Sequence, residues 1–314
     1  MTEIITENSR EVIEAGSKSF ATAARLFKRE IRDDVYLLYA WCRHCDDVID
    51  GQRLGFDARP LTIEEQQIRL SRISAQTRMA VDGDAAEDAP FKGLQNVVQR
   101  HQIPAVYPME LIQGFAMDVE GYRYETLEDT LLYCYHVAGV VGIMMAYVMG
   151  VRKPEVLQRA ADLGMAFQLT NIVRDVMDDA TVNRIYLPSA WLREAGVSPE
   201  RIEAPENRDA VFSVVKRLLG EADRYYDSAR EGLRALPLSC AWAISAADGV
   251  YHNIGDIVIA RGARAWDERA IAPRYRKLYW LMRGGVTALS AASLHKGQAM
   301  APRSPDLWTK AELS

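Results

Sequence analysis

One stripe of polar residues in the first sixth of the chain has the types and spacing of a chemical site. Tyr39, Arg43, Asp46 and Asp50 are separated by four, three and four residues, so on a helix they share one face. An amphipathic helix ordinarily places Leu or Ile on a stripe that faces the core. Ionisable side chains at these positions therefore favour a binding or catalytic role.

A second stripe occurs more than a hundred residues later. Asn171, Asp175 and Asp179 keep a strict four-residue step, and Gln168 and Gly164 extend the same helical face toward the amino terminus. On the amino-terminal side of the oxygen-bearing residues, the side chains on this face are small and uncharged. That pattern is typical of the wall of a ligand channel.

Magnesium chemistry explains the two stripes together. Carboxylates one helical turn apart repel each other unless a cation or a proton lies between them. Mg²⁺ prefers oxygen ligands and is commonly held by one or two carboxylates plus substrate phosphates. Two facing helices could hold several ions and one diphosphate, and Arg43 and Arg174 could meet the remaining phosphate charge.

Other interpretations of these segments stay open when each is taken alone. Either acidic segment could be a solvated, charged helix end, although the presence of both in one helical chain favours function. Neither segment has the glycine-bearing pattern of an EF-hand calcium loop. Cys42 and Cys45 form a CxxC spacing without a second pair, so we interpret them as buried helix residues and not as zinc ligands.

The elements that must position these stripes are predicted to be helices. The chain is 49% hydrophobic and 26% charged, which is ordinary for a globular protein. Its net charge of -5 lacks the basic excess of a nucleic-acid binder, so we expect no nucleic-acid partner. Alternating strand patterns are scarce. Apolar residues recur at helical spacing over residues 33–50, 63–81, 126–149 and 155–178.

No linker forces a division of the chain, so we predict one domain over residues 1–296 and a flexible polar tail over residues 297–314. Thr130–Val151 contains 22 residues without Asp, Glu, Lys or Arg, which is long enough to cross a bilayer. Its histidine, tyrosines and glycines favour a buried central helix instead. Gly51–Pro60, directly after the first stripe, is predicted to be a mobile flap that closes over a bound diphosphate.

The sequence resembles the squalene and phytoene synthase family of head-to-head prenyl transferases, and within it the bacterial phytoene synthases. The matching segments occur in the family's order and spacing and span most of the chain. They are SKSF (Ser17–Phe20), YAWCRHCDDVID (Tyr39–Asp50), YCYHVAGVVG (Tyr133–Gly142), FQLTNIVRDVMDD (Phe167–Asp179) and NRIYLP (Asn183–Pro188).

The resemblance implies an all-α isoprenoid-synthase fold, which is a single-domain helical bundle around a central hydrophobic cavity. It also implies several Mg²⁺ or Mn²⁺ ions that bridge the substrate diphosphate. The implied metal ligands are Asp46, Asp50, Asn171, Asp175 and Asp179, and the four aspartates together with Tyr39 are the implied catalytic residues. The implied substrate- and diphosphate-binding residues are Ser17, Ser19, Phe20, Tyr39, Arg43, Gln168, Arg174, Tyr251, Arg269 and Lys277.

The activity implied by the resemblance is the joining of two geranylgeranyl diphosphates, through a cyclopropyl diphosphate, to phytoene with release of two diphosphates. No Gly-rich dinucleotide fingerprint follows a strand pattern, so we expect no NADPH and no reductive step. Aromatic faces can stabilise the carbocations, and the candidates are Phe20, Tyr39, Tyr133 and Phe167. Ordinary core packing stays open for the last two.

Three alternatives to this activity stay open. The first is a C30 enzyme of the dehydrosqualene or squalene type that uses farnesyl diphosphate. The second, more distant, is a chain-elongating prenyltransferase or a terpene cyclase. The third belongs to a different class: a non-catalytic helical protein that binds a prenyl lipid or a diphosphate.

The expected surroundings follow from the implied product. A C40 hydrocarbon is insoluble in water, so we expect a cytoplasmic protein that contacts the membrane surface transiently and can meet other carotenoid-pathway enzymes. The first residues show no signal-peptide pattern. The basic residues between Arg261 and Lys277 fit three interpretations: a membrane-surface patch, closure of the diphosphate pocket, or simple solvation.

Overall fold

The computed structural model describes residues 9–13, 16, 18–52, 61–293 and 300–310, without the side chains of residues 18–20. Across these ranges the chain forms α-helices, short 3-10 turns and one π turn, with no strand. The all-α, single-domain prediction is therefore confirmed. The helices are α1 (Lys18–Ala24), α2 (Arg29–Asp50), α3 (Ile63–Asp82), α4 (Ala89–His101), α5 (Val106–Val119), α6 (Leu127–Cys134), α7 (Val140–Val148), α8 (Pro154–Thr181), α9 (Ser189–Glu194), α10 (Arg208–Gly232), α11 (Leu238–Arg261) and α12 (Arg274–Ser293).

Local sequence signals set the ends of the helices that carry the site. Helix α2 stops at Gly51, which adopts a left-handed φ of 65° that glycine reaches without strain. Helix α8 begins at Pro154, whose missing N–H costs nothing in the first turn. The predicted helical stretches match α2, α3, the α6–α7 run and α8 to within four residues at each end. Residues 53–60 of the predicted flap lie outside the described residues.

A central helical run crosses the core. It consists of α6, a π turn at Tyr135–Gly139 and α7, and it is long and apolar enough to span a membrane by length and composition alone. In the structure 67% of its most apolar window is buried within the fold. The prediction of a buried central helix therefore agrees with the structure.

The backbone of α8 touches that of the π turn and of α7 through glycines. A Cβ placed on Gly142 would lie 2.1 Å from the carbonyl oxygen of Ala160, and one on Gly164 would lie 2.1 Å from that of Ala138. Only glycine permits this approach, because any side chain would overlap a main-chain oxygen. The contact fixes α8, and hence the second acidic stripe, against the central helix.

Residues 300–310, here called the C-terminal strap, pack against the helices and belong to the segment 297–314 that the sequence predicts to be a flexible tail. Arg303 donates to both carboxylate oxygens of Asp162 (Nη2–Oδ1 2.7 Å, Nε–Oδ2 2.9 Å), and Arg159 donates to the carbonyl of Ala301 at 2.6 Å. Asp162 and Leu307 are buried. A buried carboxylate requires a partner, and this one lies 141 residues away, beyond the reach of local sequence patterns.

Arg303→Ala is expected to lower the free energy of unfolding by about 3 kcal/mol, because it leaves the carboxylate of Asp162 buried without its main cation. Urea denaturation followed by circular dichroism measures the change. The matched control is Arg201→Ala, which removes an exposed ion pair with Glu206 and should cost less than about 1 kcal/mol. Equal effects of the two substitutions would show that the strap contributes no specific stability.

Candidate active site

A single large cavity collects most of the predicted site residues. Its volume is about 750 Å³, and its wall is built from α2, α5, the α6–α7 run, α8, α10, α11 and the segment 269–272. The described candidates that line it are Tyr39, Arg43, Asp46, Asp50, Gln168, Asn171, Arg174, Asp175, Asp179, Tyr251 and Arg269. The structure thus brings both acidic stripes to one cavity.

The remaining candidates are placed differently. Lys277 lies on α12, and the cavity wall does not include it, in contrast to its expected role. No described residue after Ala272 lines the cavity. Helix α12 begins at Arg274 and packs along α11. Ser17 lies outside the described residues, as do the side chains of Ser19 and Phe20.

The cavity has its carboxylates at one end and is mostly apolar over the rest of its length, where Arg159 is also part of the wall. Helix α8 contributes to the whole wall, from Asp179 and Asp175 back to Val156. At 1.5 Å of rise per residue, the distance along the helix from Asp175 to Val156 is roughly 28 Å. Apolar lining residues include Val137, Val141, Met145, Met149, Leu163, Leu233, Leu236 and Ile244. The shape suits a ligand with a charged head and a long hydrocarbon tail.

The first stripe holds more negative charge than its neighbours neutralise. Arg43 pairs with Asp46 (Nη1–Oδ2 3.1 Å) and with Asp47 (Nη2–Oδ1 2.8 Å). Partial loss of hydration, followed by the repulsion of Asp50, raises the pKa of Asp46 to about 7 despite that arginine. A cation at this position would remove the repulsion.

The second stripe contains one neutralised and one poorly neutralised carboxylate. Arg269 binds Asp175 through two hydrogen bonds of 3.0 and 2.9 Å, and Arg174 adds another of 2.8 Å. Burial alone would raise the pKa of Asp175, but these arginines outweigh it and lower the pKa. Burial and the charge of Asp175 raise the pKa of Asp179 to about 8.

Two charged residues of the site were not assigned a role from the sequence. Arg184 donates to Oδ1 of Asp50 at 2.5 Å, and Asp118 accepts hydrogen bonds of 3.0 Å from Tyr133 and from Tyr186. Burial raises the pKa of Asp118 to about 6. Two features of the sequence could have pointed to these residues. Arg184 belongs to the NRIYLP segment, and Asp118 is a lone carboxylate in the apolar part of α5.

Aromatic rings stack in pairs along the cavity. Phe167 lies 4.2 Å from Tyr251 between ring centroids, and Tyr133 lies 4.6 Å from Tyr186. All four side chains line the cavity, so Phe167 and Tyr133 are not solely core residues. Burial raises the pKa of Tyr39 above its ordinary value, so its phenol stays protonated and can donate a hydrogen bond.

The oxygen donors of the two stripes fit a hard divalent cation. In the described parts of the chain no three His, Cys, Asp or Glu side chains form a ready-made metal site. Such a set is not needed for Mg²⁺, which takes part of its coordination from substrate phosphates. Oδ1 of Asn171 is buried in the wall without a hydrogen-bond partner, which leaves it available as a ligand. Cys42 and Cys45 are free thiols on α2.

Comparison with known proteins identifies the family. The squalene/phytoene synthase sequence model matches residues 13–281. The chain belongs to the squalene/phytoene synthase family. It is therefore a prenyltransferase enzyme of the class that processes prenyl diphosphates.

Relatives within the squalene/phytoene synthase family are similar over nearly the whole chain. A 15-cis-phytoene synthase of Pantoea ananas is 47% identical over 300 residues, which cover 96% of each chain. A 15-cis-phytoene synthase of a Paracoccus species is 51% identical over 277 residues, covering 88% of this chain and 90% of that one.

Solved structures of the squalene/phytoene synthase family share the fold. A dehydrosqualene synthase crystallised with a ligand superposes with a TM-score of 0.82 at 25% identity, covering 92% of this chain and 98% of that one. A squalene synthase of Alicyclobacillus acidocaldarius gives a TM-score of 0.72 at 23% identity, covering 83% and 95%, which bears on the fold alone.

Proposed function

We propose that the protein condenses two molecules of geranylgeranyl diphosphate head to head to give phytoene, with release of two diphosphates. The observation that carries the proposal is the pair of carboxylate stripes from α2 and α8 at the polar end of a long apolar cavity. Identity of 47–51% over 88–96% of the chain to proteins named 15-cis-phytoene synthase supports the C40 product over a C30 product.

The chain's own residues account for recognition of the diphosphate. Arg43, Arg174, Arg184 and Arg269 surround the polar end of the cavity, each already oriented by an aspartate. The planar guanidinium group suits bidentate contact with phosphate oxygens. Mg²⁺ or Mn²⁺, held by Asp46, Asp50, Asn171, Asp175 and Asp179, would neutralise the diphosphate and so make it a better leaving group.

The rest of the reaction is carbocation chemistry in a dry cavity. The C–O bond of one substrate breaks to give an allylic cation and diphosphate, and the double bond of the second substrate attacks to form a cyclopropyl diphosphate after loss of a proton. That intermediate loses its own diphosphate, rearranges and loses another proton to give the triene. The apolar wall excludes water from the cations. An aromatic face that meets a cation directly stabilises it by roughly 0.5–2 kcal/mol.

Proton removal falls to the released diphosphate. Tyr39 stays protonated because of its raised pKa, so it acts as a hydrogen-bond donor that orients a phosphate oxygen and not as the base itself. No reductant enters this scheme, so NADPH should have no effect on the product.

A direct assay tests the proposal. The purified protein is incubated with geranylgeranyl or farnesyl diphosphate, with Mg²⁺, Mn²⁺ or EDTA, and with or without NADPH, and hydrocarbons are analysed by chromatography and mass spectrometry. Phytoene from the C20 substrate, lost in EDTA and unchanged by NADPH, is expected. Preferred conversion of the C15 substrate would favour the C30 alternative, and binding without turnover would favour the non-catalytic one.

The stability of the metal-free protein is expected to fall as the pH rises from 6.5 to 8.5. In the folded state the pKa values of Asp46 and Asp179 are raised to about 7 and about 8. The folded state therefore holds more protons than the unfolded state across this range, so the free energy of unfolding declines with pH. Thermal unfolding in EDTA measures the slope.

Mg²⁺ should stabilise the protein more at pH 8.5 than at pH 6.5, because its ligands must be deprotonated. Asp179→Asn should flatten the pH dependence measured in EDTA. A free energy of unfolding that rises with pH in the metal-free protein would contradict the raised pKa values of Asp46 and Asp179.

The surroundings of the protein are also part of the proposal. The substrate enters from a bilayer and the hydrocarbon product returns to one, so the protein is a cytoplasmic enzyme in transient contact with a membrane surface. Proximity to other carotenoid-pathway enzymes would shorten the path of the product.

A further inference from the structure

Helix α12 presents an uninterrupted apolar stripe to solvent. Five of its members lie on α12 at steps of three, four, four and three residues, and Ile271 lies three residues before the helix begins; between 58% and 70% of each residue's surface is exposed. We call this the outer stripe: Ile271, Tyr275, Leu278, Met282, Val286 and Leu289. Large exposed apolar surfaces of this kind mark sites of interaction.

The opposite face of α12 is fixed against α11. A Cβ on Gly284 would lie 2.8 Å from the backbone nitrogen of Ala246, and the ring of Trp280 covers Gly249 so closely that a Cβ there would lie 2.2 Å from it. The indole of Trp242 donates to the carbonyl of Leu281 at 2.7 Å. The helix cannot rotate to bury the outer stripe without breaking these contacts.

The segment that carries the outer stripe has charges of one sign. The chain as a whole carries a net charge of -5, yet it has no Asp or Glu between Glu268 and Asp306. Helix α12 itself carries Arg274, Arg276, Lys277 and Arg283. A helix with an exposed apolar face, flanking basic residues and no acids is complementary to an anionic lipid surface.

Aromatic side chains reinforce this match. Tyr275 and Tyr279 are exposed on α12, and the guanidinium carbon of Arg283 lies 5.2 Å from the centroid of the Trp280 ring. Tyrosine and tryptophan are favoured at the boundary between headgroups and hydrocarbon, where one end of the ring is apolar and the other is hydrated.

The outer stripe is continuous with the cavity. Ile271 lines the cavity and is also 63% exposed, so the cavity reaches the surface where the stripe begins. Two residues earlier, Arg269 pairs with Asp175 at the polar end. A partner surface that binds the outer stripe would therefore also lie against the cavity opening, through which a prenyl chain can pass.

We propose that the outer stripe and the basic residues of α12 dock the protein on a bilayer that contains anionic lipids, with the cavity opening at headgroup level. The central apolar run plays no part in this contact, because it is buried in the core. The proposal rests on the proposed function in one respect: the prenyl substrate and the hydrocarbon product give the protein a reason to bind a membrane. A second copy of the chain is the competing occupant of the stripe.

Flotation of the full-length protein with vesicles tests the docking. Vesicles of phosphatidylcholine alone are compared with vesicles containing phosphatidylglycerol. The triple variant Leu278→Ser/Met282→Ser/Val286→Ser should bind at least tenfold more weakly, and Arg274→Gln/Arg276→Gln roughly tenfold more weakly on anionic vesicles. Added salt should weaken binding of the wild type.

Matched controls distinguish the effect of this particular face from the effect of removing any exposed apolar or basic side chains. Ile63→Ser/Ile68→Ser removes two equally exposed apolar side chains from α3, and Arg78→Gln/Lys216→Gln removes two exposed basic residues elsewhere. Both controls should bind vesicles like the wild type. Equal losses in the controls would overturn the assignment of the face.

Activity and oligomeric state complete the test. In detergent micelles that deliver the substrate, the triple variant should keep wild-type turnover, so a loss of docking is distinguishable from a failure of the proposed function. Sedimentation analysis should show no change in oligomeric state. A wild type that ignores anionic vesicles, or that forms a dimer abolished by the triple variant, would overturn the proposal.

Discussion

Asp175→Ala is expected to lower kcat by about a thousandfold while leaving the fold intact, an effect of the size seen when one electrostatic contact to a transition state is removed. Asp175 lies on the second stripe, where Arg174 and Arg269 orient its carboxylate toward the cavity. Its loss removes a metal ligand and also the partner that positions both arginines. Steady-state kinetics with geranylgeranyl diphosphate and circular dichroism measure the two halves of the prediction.

The control lies on the same helix. Asp178 is exposed and is absent from the cavity wall, so Asp178→Ala should retain most of the activity. This variant also tests whether Asp178, the neighbour of Asp179 in the sequence, takes part in the site. Full activity of Asp175→Ala would end the assignment of the second stripe to metal and diphosphate.

Gly164→Ala is expected to destabilise the protein by about 3 kcal/mol, at the upper end of what overpacking a core costs. The new Cβ would lie 2.1 Å from the carbonyl oxygen of Ala138 and 3.0 Å from the Cα of Gly139. Both neighbours are backbone, so α8 must move away from the central run. Because native stability is only about 5–15 kcal/mol, the variant should show a clearly lower urea midpoint.

A glycine in open space gives the opposite expectation. No atom of another helix lies within 4 Å of the position that a Cβ on Gly220 of α10 would occupy. Gly220→Ala should therefore stabilise the protein by about 0.5–1 kcal/mol through helix propensity alone. If Gly164→Ala behaved like Gly220→Ala, the close approach of α8 to the π turn of the central run would not exist in solution.

Local periodicity was enough to predict the helices and both acidic stripes. A 3.6-residue repeat is visible in sequence, so Asp46 and Asp50 could be assigned to one face, and Asp175 and Asp179 to another. That these faces meet in one cavity was a hypothesis from their shared chemistry, and the structure brings them to the same wall.

Partnerships between distant residues could not be predicted in this way. Arg184 and Asp50 are 134 residues apart, and Arg303 and Asp162 are 141 apart. Such pairs depend on the final packing of helices, which no short window records. The contacts of the C-terminal strap were not predicted for this reason, since a polar segment is interpreted as solvated until the buried charge that it neutralises is known.

The glycine contact between α7 and α8 has a consequence for chain-length selection. Two helices whose main chains are in van der Waals contact form a rigid unit. They therefore cannot move apart on this side of the cavity to make room for a bulkier hydrocarbon. The length of tail that fits is therefore set by the side chains that line the cavity, such as Met145, Met149 and Leu233, and not by the separation of these two helices.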